Sequence, residues 1–221
     1  MKTTALVTGG SRGLGYAIVK KLLAKGMHVL LPTRTELNLL SDISIENYLA
    51  SLETRIDVIV NNAGINPVAA ITDIEDSDIT AAMQINLLAP LKIARSLVPA
   101  MIENGYGRIV NISSIWSAVS KPGRTVYSAS KSGLNGITRT MAVELAKNNI
   151  LINAVAPGFV NTELTKQNNS HDDILLIEKS IPMERLAEPE EIAELVYFLV
   201  SESNTYITGQ TIFIDGGFTC Q

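Results

Sequence analysis

A tyrosine and a lysine stand four positions apart in the stretch VYSASKSGL, as Tyr127 and Lys131. On a helix, two residues at this spacing lie on one face, with Cβ atoms about 5–6 Å apart. An unperturbed tyrosine has a pKa of about 10, and moving that pKa to near 7 requires roughly 4 kcal/mol. A cation about 4 Å away, at an effective dielectric near 20, supplies on the order of 4 kcal/mol. The two residues are therefore either an ordinary surface pair or a phenol whose pKa is lowered by Lys131 until it exchanges protons near neutral pH.

A glycine-rich turn, TGGSRGLG at 8–15, follows a short apolar run and precedes an amphipathic segment. Glycine permits a tight turn, and it lets backbone N–H groups and a helix N-terminus approach a pyrophosphate. The glycines from Gly9 onward follow the spacing G-x-x-x-G-x-G. The turn therefore indicates a dinucleotide site, and the alternative is a tight connection that binds no ligand.

The end of the second apolar run indicates which dinucleotide binds. In dinucleotide-binding folds, an acidic residue near this point holds the ribose hydroxyls of NAD. This chain has Pro32, Thr33 and Arg34 there, and no carboxylate occurs before Glu36. Arg34, together with Arg12 in the glycine-rich turn, can hold a 2′-phosphate through charge-assisted hydrogen bonds. The sequence therefore favours NADP(H) over NAD(H).

Composition argues against several classes of function. Of the 221 residues, 46% are hydrophobic and 18% are charged, which is typical of a folded chain. A net charge of −4 argues against general nucleic-acid binding. The single cysteine, Cys220, suits a reducing cytosol. We find no long apolar stretch at the start and no run of 18 apolar residues, so we expect neither a signal peptide nor a membrane span. The only histidines, His28 and His171, lie outside any ligand-spaced cluster, so no metal site is expected.

Apolar runs alternate with longer amphipathic stretches along the chain. This order is typical of a parallel sheet covered by helices. We predict one α/β domain over 1–221, with a Rossmann-type, doubly wound parallel sheet and helices on both faces. The predicted strands lie at 4–8, 28–32, 57–61, 107–113, 151–157 and 210–215, and the predicted helices at 14–25, 44–51, 77–103, 127–148 and 188–200.

Two local features modify this prediction. Only residues 33–56 separate the second predicted strand from the third, which is too few for a helix, a strand and a second helix. We therefore expect a short edge strand in TELNLLSDIS, at 35–44, followed directly by a helix, so that one covering helix is shortened or missing. Pro90 and Pro99 are expected to break or kink the third helix.

Taken in order, the motifs resemble those of the short-chain dehydrogenase/reductase family over nearly the whole chain. TGGSRGLG is similar to the family's cofactor turn, NNAG at 61–64 to its next signature, and QIN, ending at Asn86, to its helix asparagine. NISS ends at Ser114, 13 residues before Tyr127, and YSASK matches Tyr-x-x-x-Lys. APG at 156–158 resembles the turn that closes over the cofactor, and ITGQTIFIDGG the last strand. Within the family, the chain looks most like the 3-oxoacyl-carrier-protein reductases.

The resemblance implies a catalytic set of four residues, Ser114, Tyr127, Lys131 and Asn86. Reduction of a ketone requires a hydride at carbon and a proton at oxygen. Tyr127 would supply the proton, and Ser114 would hydrogen-bond the carbonyl oxygen. By the same resemblance, Asn86 would hold a water that relays protons to Lys131. The residues expected to bind the cofactor, NADP(H), are Gly9, Ser11, Arg12, Gly13, Leu14, Gly15, Arg34, Asn62, Ala63, Gly64, Tyr127, Lys131, Pro157, Gly158, Val160 and Thr162.

The resemblance also implies a mobile substrate lid at 159–180, and it places Thr162 against the nicotinamide carboxamide. His171, within that segment, is expected to be solvated. Trp116 is expected to be either a wall of the substrate site or part of a subunit contact. Small residues on the helix of Tyr127 suit a helix-paired subunit interface, so we expect a homo-oligomer, a dimer or a tetramer; they are Ala129, Ser130, Gly133 and Gly136.

These observations predict a cytoplasmic, NADPH-dependent oxidoreductase that reduces a small ketone or a β-ketoacyl thioester to an alcohol. The alternative is a non-catalytic NADP-binding regulatory or interaction protein on the same fold. Carrier-protein reductases present basic residues before the GRI strand and after the catalytic helix. This chain has Glu103, Asn104 and Gly105 at the first place and Lys147 as the only cation at the second. Such a weak basic patch predicts slow capture of an acidic carrier protein.

Overall fold

A computed structural model of the protein describes residues 2–168 and 170–221, except for the side chains of Leu164 and Asn168. Within these residues, six strands form one parallel sheet in the order β2-β1-β3-β4-β5-β6. The chain reverses its direction of travel across the sheet between β1 and β3, which is where ligands bind in open α/β sheets. The strands are β1 Thr4–Thr8, β2 His28–Leu30, β3 Val58–Asn61, β4 Gly107–Ile112, β5 Ile150–Pro157 and β6 Thr211–Ile214.

Helices cover both faces of the sheet, as predicted. Alternate residues of a strand point to opposite faces, and β1 shows this directly. Ala5 and Val7 belong to a buried core that also contains residues of the first and last long helices, whereas Leu6 belongs to the core on the other face. The helices are α1 Gly13–Ala24, α2 Asp42–Ala50, α3 Asp76–Met83, α4 Ala89–Asn104, α5 Thr125–Leu145, α6 Glu163–Asn168, α7 His171–Lys179 and α8 Pro189–Val200.

The predicted edge strand at 35–44 is wrong. The carbonyl of Thr33 accepts hydrogen bonds from the amides of Glu36 and Leu37, so the chain curls immediately after β2. The Ser41 hydroxyl then accepts from the Ser44 amide and caps α2. These local bonds occupy the amides that an edge strand would need. Helix α2 is thus the only regular element between β2 and β3, so one covering helix is missing as expected.

Neither proline ends the third predicted helix. Helices α3 and α4 run continuously through a π-helical turn, Gln84–Leu88, which lies just before Pro90. Pro99 lies inside α4. The whole segment 76–104 is long and apolar enough to cross a membrane, with 39% of the residues in its most apolar window buried. Its Ile93 and Met101 are buried in the same core as Leu6, as in a core helix of a globular protein.

Candidate active site

The carboxyl ends of the parallel strands bring the predicted motifs to one edge of the sheet. The glycine-rich turn follows β1, the NNAG motif spans the end of β3, and Ser114 follows β4. Helix α5, which carries Tyr127 and Lys131, packs against β5 and against the short helix Ile115–Ser117 after Ser114. Residues distant in the sequence therefore meet where the sheet topology reverses.

A cleft of about 550 Å³ opens at this edge, within the range of pockets that take small molecules and cofactors. Eleven of the predicted cofactor residues line it: Gly9, Ser11, Arg12, Gly13, Leu14, Gly15, Arg34, Asn62, Ala63, Gly64 and Thr162. The lining also includes Leu37, Asn38, Leu39 and Leu40, which were not predicted from the sequence because a strand was expected in that segment. Tyr127, Lys131, Pro157, Gly158 and Val160 are not among the lining residues.

The glycine-rich turn is held by the strand beside it. The Asn62 side-chain amide donates to the carbonyls of Thr8 and Gly9, at 3.1 and 3.0 Å. A Cβ at Gly15 would lie 2.1 Å from the Gly9 carbonyl oxygen, so no side chain fits there. Gly9 itself has φ +66, which glycine adopts at little cost. The turn therefore presents bare backbone to the cleft, and this form fits a pyrophosphate.

The positive charges of the cleft come from the turn after β2 and from the glycine-rich turn. Arg34 and Arg12 both line the cleft and are exposed. Glu36, absent from the lining, folds back so that its carboxylate accepts from the Thr33 amide at 2.7 Å and from the Thr33 hydroxyl at 2.8 Å. These hydrogen bonds lower the pKa of Glu36. The turn after β2 therefore carries Arg34 and one carboxylate fixed to Thr33, and the glycine-rich turn adds Arg12 to the same cleft.

Lys131 is buried beside the cleft, with only 3% of its surface exposed. Its Nζ donates to the Ile112 carbonyl at 2.7 Å and lies 5.6 Å from the centre of the Tyr127 ring. A Cβ on Gly64 would come within 3.5 Å of the same Nζ. Gly64 lines the cleft, so Lys131 lies directly behind the cleft wall. Burial lowers the pKa of Lys131 to about 8.

The expectation that Lys131 brings the pKa of Tyr127 towards 7 is wrong for this structure. Burial raises the pKa of Tyr127, and a hydrogen bond from Ser114 and the charge of Arg124 offset only part of that rise. The physical reason is desolvation, since a buried phenolate loses its hydration. Lys131 meanwhile directs its Nζ to a backbone carbonyl. Tyr127 is thus a neutral phenol, the form that donates a proton.

Asn86 lies in the π-helical turn and is 1% exposed. Its carboxamide exchanges hydrogen bonds with the Ile65 amide and carbonyl, at 2.9 and 2.8 Å, and donates to the Ser130 hydroxyl at 3.0 Å. Ser130 in turn donates to the Tyr127 carbonyl at 2.8 Å. The asparagine therefore ties the loop after β3 to the helix that carries Tyr127. Single π turns in helices are often found at functional sites.

Aromatic side chains stand next to Ser114. Trp116, Phe159 and Phe218 contact each other edge to face, with ring centres 5.4–6.2 Å apart. Sequence reasoning singled out Trp116 alone, because Phe159 and Phe218 lie far from it in the chain. Ser114 is itself buried, and its hydroxyl accepts from the Trp116 amide at 3.2 Å.

The segment expected to act as a lid contains α6 and α7, and Asn169 between them lies outside the described residues. His171 begins α7 and is exposed. Thr162 lines the cleft, and Val160 forms an isolated parallel bridge with Ala187.

Among residues 2–168 and 170–221, no group of three or more histidine, cysteine, aspartate or glutamate side chains could hold a metal ion.

Burial of Lys131 predicts a pH-dependent stability. The pKa of this lysine is about 8 in the folded chain and about 10.4 in an unfolded one. Between these values the unfolded chain binds the proton that the folded chain has released. The free energy of unfolding should therefore rise with pH, by about 1.4 kcal/mol per pH unit. Urea denaturation from about pH 8 to 10 should show wild type gaining stability relative to Lys131→Met. Parallel profiles for the two proteins would contradict this.

This parallel sheet, with a cleft that opens on a bare glycine turn and a Tyr-Lys pair behind the cleft wall, defines a Rossmann-type α/β protein. Residues 36–219 match a family model described as enoyl-(acyl carrier protein) reductase, and residues 3–44 match one described as short chain dehydrogenase. The chain belongs to the short-chain dehydrogenase/reductase family and is an oxidoreductase of that family.

Named relatives agree with this assignment. The chain is 37% identical to 3-oxoacyl-(acyl-carrier-protein) reductase FabG of Rickettsia felis, over 97% of this chain and 95% of that protein. It is similar to the structure of a gluconate 5-dehydrogenase from Burkholderia cenocepacia in complex with NADP and tartrate. That match has a TM-score of 0.94 and 27% identity, and it covers 100% of this chain and 97% of the other. A 4-hydroxyisoleucine dehydrogenase complexed with NADH has the same TM-score and 28% identity, with 100% of both chains covered.

Proposed function

We propose that the protein uses NADPH to reduce the carbonyl of a ketone or a β-ketoacyl thioester to an alcohol. The observation that carries the proposal is the position of Gly64. This residue lines the cleft that suits a dinucleotide, and a Cβ added to it would lie 3.5 Å from the Nζ of Lys131. A cofactor in the cleft and the Ser114-Tyr127-Lys131 cluster would therefore be separated by a single residue. By their names, the relatives described above act on a 3-oxoacyl group, on gluconate and on 4-hydroxyisoleucine. One of the two structures is in complex with NADP and the other with NADH.

When bound, the dinucleotide supplies the hydride that reaches the carbonyl carbon. Tyr127 supplies the proton to the carbonyl oxygen, and its raised pKa keeps that proton in place until negative charge develops on the oxygen. Ser114, hydrogen-bonded to Tyr127, donates to the same oxygen and stabilises the developing charge. Lys131 keeps a titratable proton next to the tyrosine, with a pKa of about 8.

Asn86 contributes to the proposed proton path through Lys131. Its carboxamide is already engaged by Ile65 and Ser130. We therefore place the proposed water relay at the main-chain carbonyl of Asn86. Pro90, which follows Asn86 by four residues in the helix, has no N–H to donate to that carbonyl. A water held at that carbonyl would give the π-helical turn a chemical use.

The cofactor preference is assigned to the turn after β2. Arg34 in this turn and Arg12 in the glycine-rich turn outweigh the carboxylate of Glu36, and this positive balance favours the 2′-phosphate of NADP(H). The adenine would then lie along Leu37 and Leu39, which line the cleft beyond this turn. Pro157, Gly158 and Val160 complete the proposed site on the far side. Gly158 is required there because a Cβ would lie 2.8 Å from the Asp215 Cα.

We further propose that the chain functions as one domain, with 159–180 as the substrate lid, and that it assembles into a homo-oligomer in the cytoplasm. The support for a subunit contact lies on α5. Val143 on this helix is 84% exposed, and Gly136 has open space beside it. A second helix could pack closely on such a face.

Replacement of Arg34 tests the cofactor preference. In Arg34→Ala, we expect the ratio of kcat/KM for NADPH to that for NADH to fall about tenfold, the effect of losing about 1.4 kcal/mol from one exposed phosphate contact. Steady-state rates with each cofactor give the ratio. Arg95→Ala removes an exposed arginine from α4 and should leave the ratio unchanged. An unaltered ratio in Arg34→Ala would remove this residue from the 2′-phosphate site.

The proposed reaction is tested by following NADPH oxidation with an acetoacetyl thioester carried by acyl-carrier protein, the same thioester carried by coenzyme A, and small free ketones. NADH runs in parallel. Turnover of any of these carbonyl compounds supports the proposal, and fast turnover of the carrier-bound form identifies a fatty-acid-type reductase. Tight NADPH binding without oxidation by any of them would favour the non-catalytic, regulatory alternative.

A further inference from the structure

Arg124 is the last residue before α5, the helix that carries Tyr127. Its Nε and Nη1 are buried, and neither has a hydrogen-bond partner among the described residues. Arginine cannot shed its charge in a protein, so two unpartnered buried guanidinium nitrogens are costly. Arg124 lies three positions before Tyr127, which places both on one side of the helix start. The positive charge of Arg124 lowers the pKa of the Tyr127 hydroxyl, so the two groups interact electrostatically.

A second cation stands in the same loop. The Nζ of Lys121 lies 5.5 Å from the centre of the Trp116 ring. Burial and the charge of Arg124 lower the pKa of Lys121. In the part of the chain that the structure describes, neither cation forms a salt bridge with a carboxylate. The loop therefore concentrates positive charge that the described protein residues leave uncompensated.

The loop is fixed against the helix of Tyr127. The hydroxyls of Ser120 and Ser128 lie 3.1 Å apart, and the Ser132 hydroxyl donates to the Ser117 carbonyl at 3.1 Å. Ser117 in turn donates to the Ser114 carbonyl at 2.6 Å. Arg124 and Lys121 thus keep a set position relative to Ser114, with the aromatic cluster of Trp116, Phe159 and Phe218 beside them.

We infer that Arg124, with Lys121 beside it, binds the carboxylate of a small keto acid whose ketone lies at the Tyr127 hydroxyl. The planar guanidinium matches a carboxylate in shape and charge, and a rotation of the Arg124 side chain towards the substrate would let a carboxylate supply the partner that Nε and Nη1 lack. A β-ketoacyl thioester presents only a neutral carbonyl at this place. The inference rests on the proposed function and narrows it: NADPH reduces the ketone of the acid, and the product is the corresponding hydroxy acid.

Matched pairs of substrates test this. NADPH oxidation is measured with acetoacetate and 4-oxopentanoate, and with the methyl ester of each. Wild type should prefer each acid over its ester in kcat/KM. In Arg124→Met that preference should fall about 10- to 100-fold, the effect of losing hydrogen bonds to a charged group. Arg124→Lys should retain part of it. Arg139→Met, which removes an exposed arginine from the same helix, should keep the wild-type preference.

A binding measurement separates failure of this inference from failure of the proposed function. Trp116 is the only tryptophan and lies at the proposed site. With NADP⁺ present, acetoacetate cannot be reduced, and its saturable effect on tryptophan fluorescence reports binding. The effect should be lost in Arg124→Met and be absent with the methyl ester.

Equal acid-to-ester preference in wild type and Arg124→Met, together with turnover of ketones, overturns the inference and leaves the proposed reductase standing. Absence of turnover with every carbonyl compound overturns the reductase. In that case the fluorescence titration decides about Arg124 alone: saturation that depends on Arg124 supports the carboxylate site, and identical titrations of the two proteins refute it.

Discussion

A Tyr127→Phe variant is expected to lose about 10²- to 10⁴-fold in kcat for carbonyl reduction and to bind NADPH as wild type does. Only the phenolic oxygen is removed, so the ring keeps its place 5.6 Å from the Lys131 Nζ. Ser114 can still hydrogen-bond the carbonyl oxygen, which accounts for the residual rate. Initial rates of NADPH oxidation measure kcat, and fluorescence titration with NADPH measures binding.

The matched control for this variant is Tyr206→Phe. Tyr206 is 95% exposed, so the loss of its hydroxyl should change neither rate nor binding. If Tyr127→Phe reduced ketones at the wild-type rate, the proton would have to come from another group. The role assigned to the Tyr-Lys spacing would then be lost, although the fold and the cleft would stand.

A Gly15→Ala variant is expected to weaken NADPH binding by about 100-fold or more, equivalent to about 2.7 kcal/mol. The added Cβ would lie 2.1 Å from the Gly9 carbonyl oxygen and 2.5 Å from the Asn62 Nδ2. Neither group can yield freely, because Asn62 donates to that same carbonyl. The turn must therefore shift away from β3, and the backbone facing the pyrophosphate shifts with it. Titration calorimetry with NADPH and a thermal melt of the variant give the two effects.

Gly136→Ala provides the comparison for Gly15→Ala. Gly136 is inside α5 and has nothing within 4 Å of an added Cβ. Gly136 does not line the cleft, so alanine there should leave NADPH binding intact. If Gly15→Ala were folded and bound NADPH with wild-type affinity, the glycine-rich turn would not be the pyrophosphate site.

The parts of the fold predicted from the sequence are those specified by buried, regular patterns. β1 was predicted at its observed residues because TALVT is buried along its length, as a central parallel strand requires. The segment after β2 was mispredicted for a local reason. Its conformation depends on hydrogen bonds from the Thr33 amide to the Glu36 carboxylate and from the Ser44 amide to the Ser41 hydroxyl, which a hydrophobic pattern does not contain.

For the candidate site, spacing alone predicted that Tyr127 and Lys131 lie on one face of a helix, and the structure has the Lys131 Nζ 5.6 Å from the centre of the Tyr127 ring. Spacing did not predict the pKa of either group. The direction of both shifts follows from burial, and burial depends on elements that come from elsewhere in the chain. Arg124 was missed for a similar reason. Its position three residues before Tyr127 was visible, but the absence of a partner for its buried nitrogens is a property of the packed structure.

The register of the sheet bears on how the chain reaches this structure. Thr4 pairs with His28, Ala5 with Val58, and Ala154 with Thr211, so every ladder joins segments far apart in the sequence. The entropy of closing such loops is lost before their contacts form, and topologies of this kind fold more slowly than helical bundles of similar size. The cleft needs β1, β2 and β3 in place together with the helix that follows β1. A bound dinucleotide can therefore stabilise the finished sheet, but it cannot act as a template for the early steps of folding.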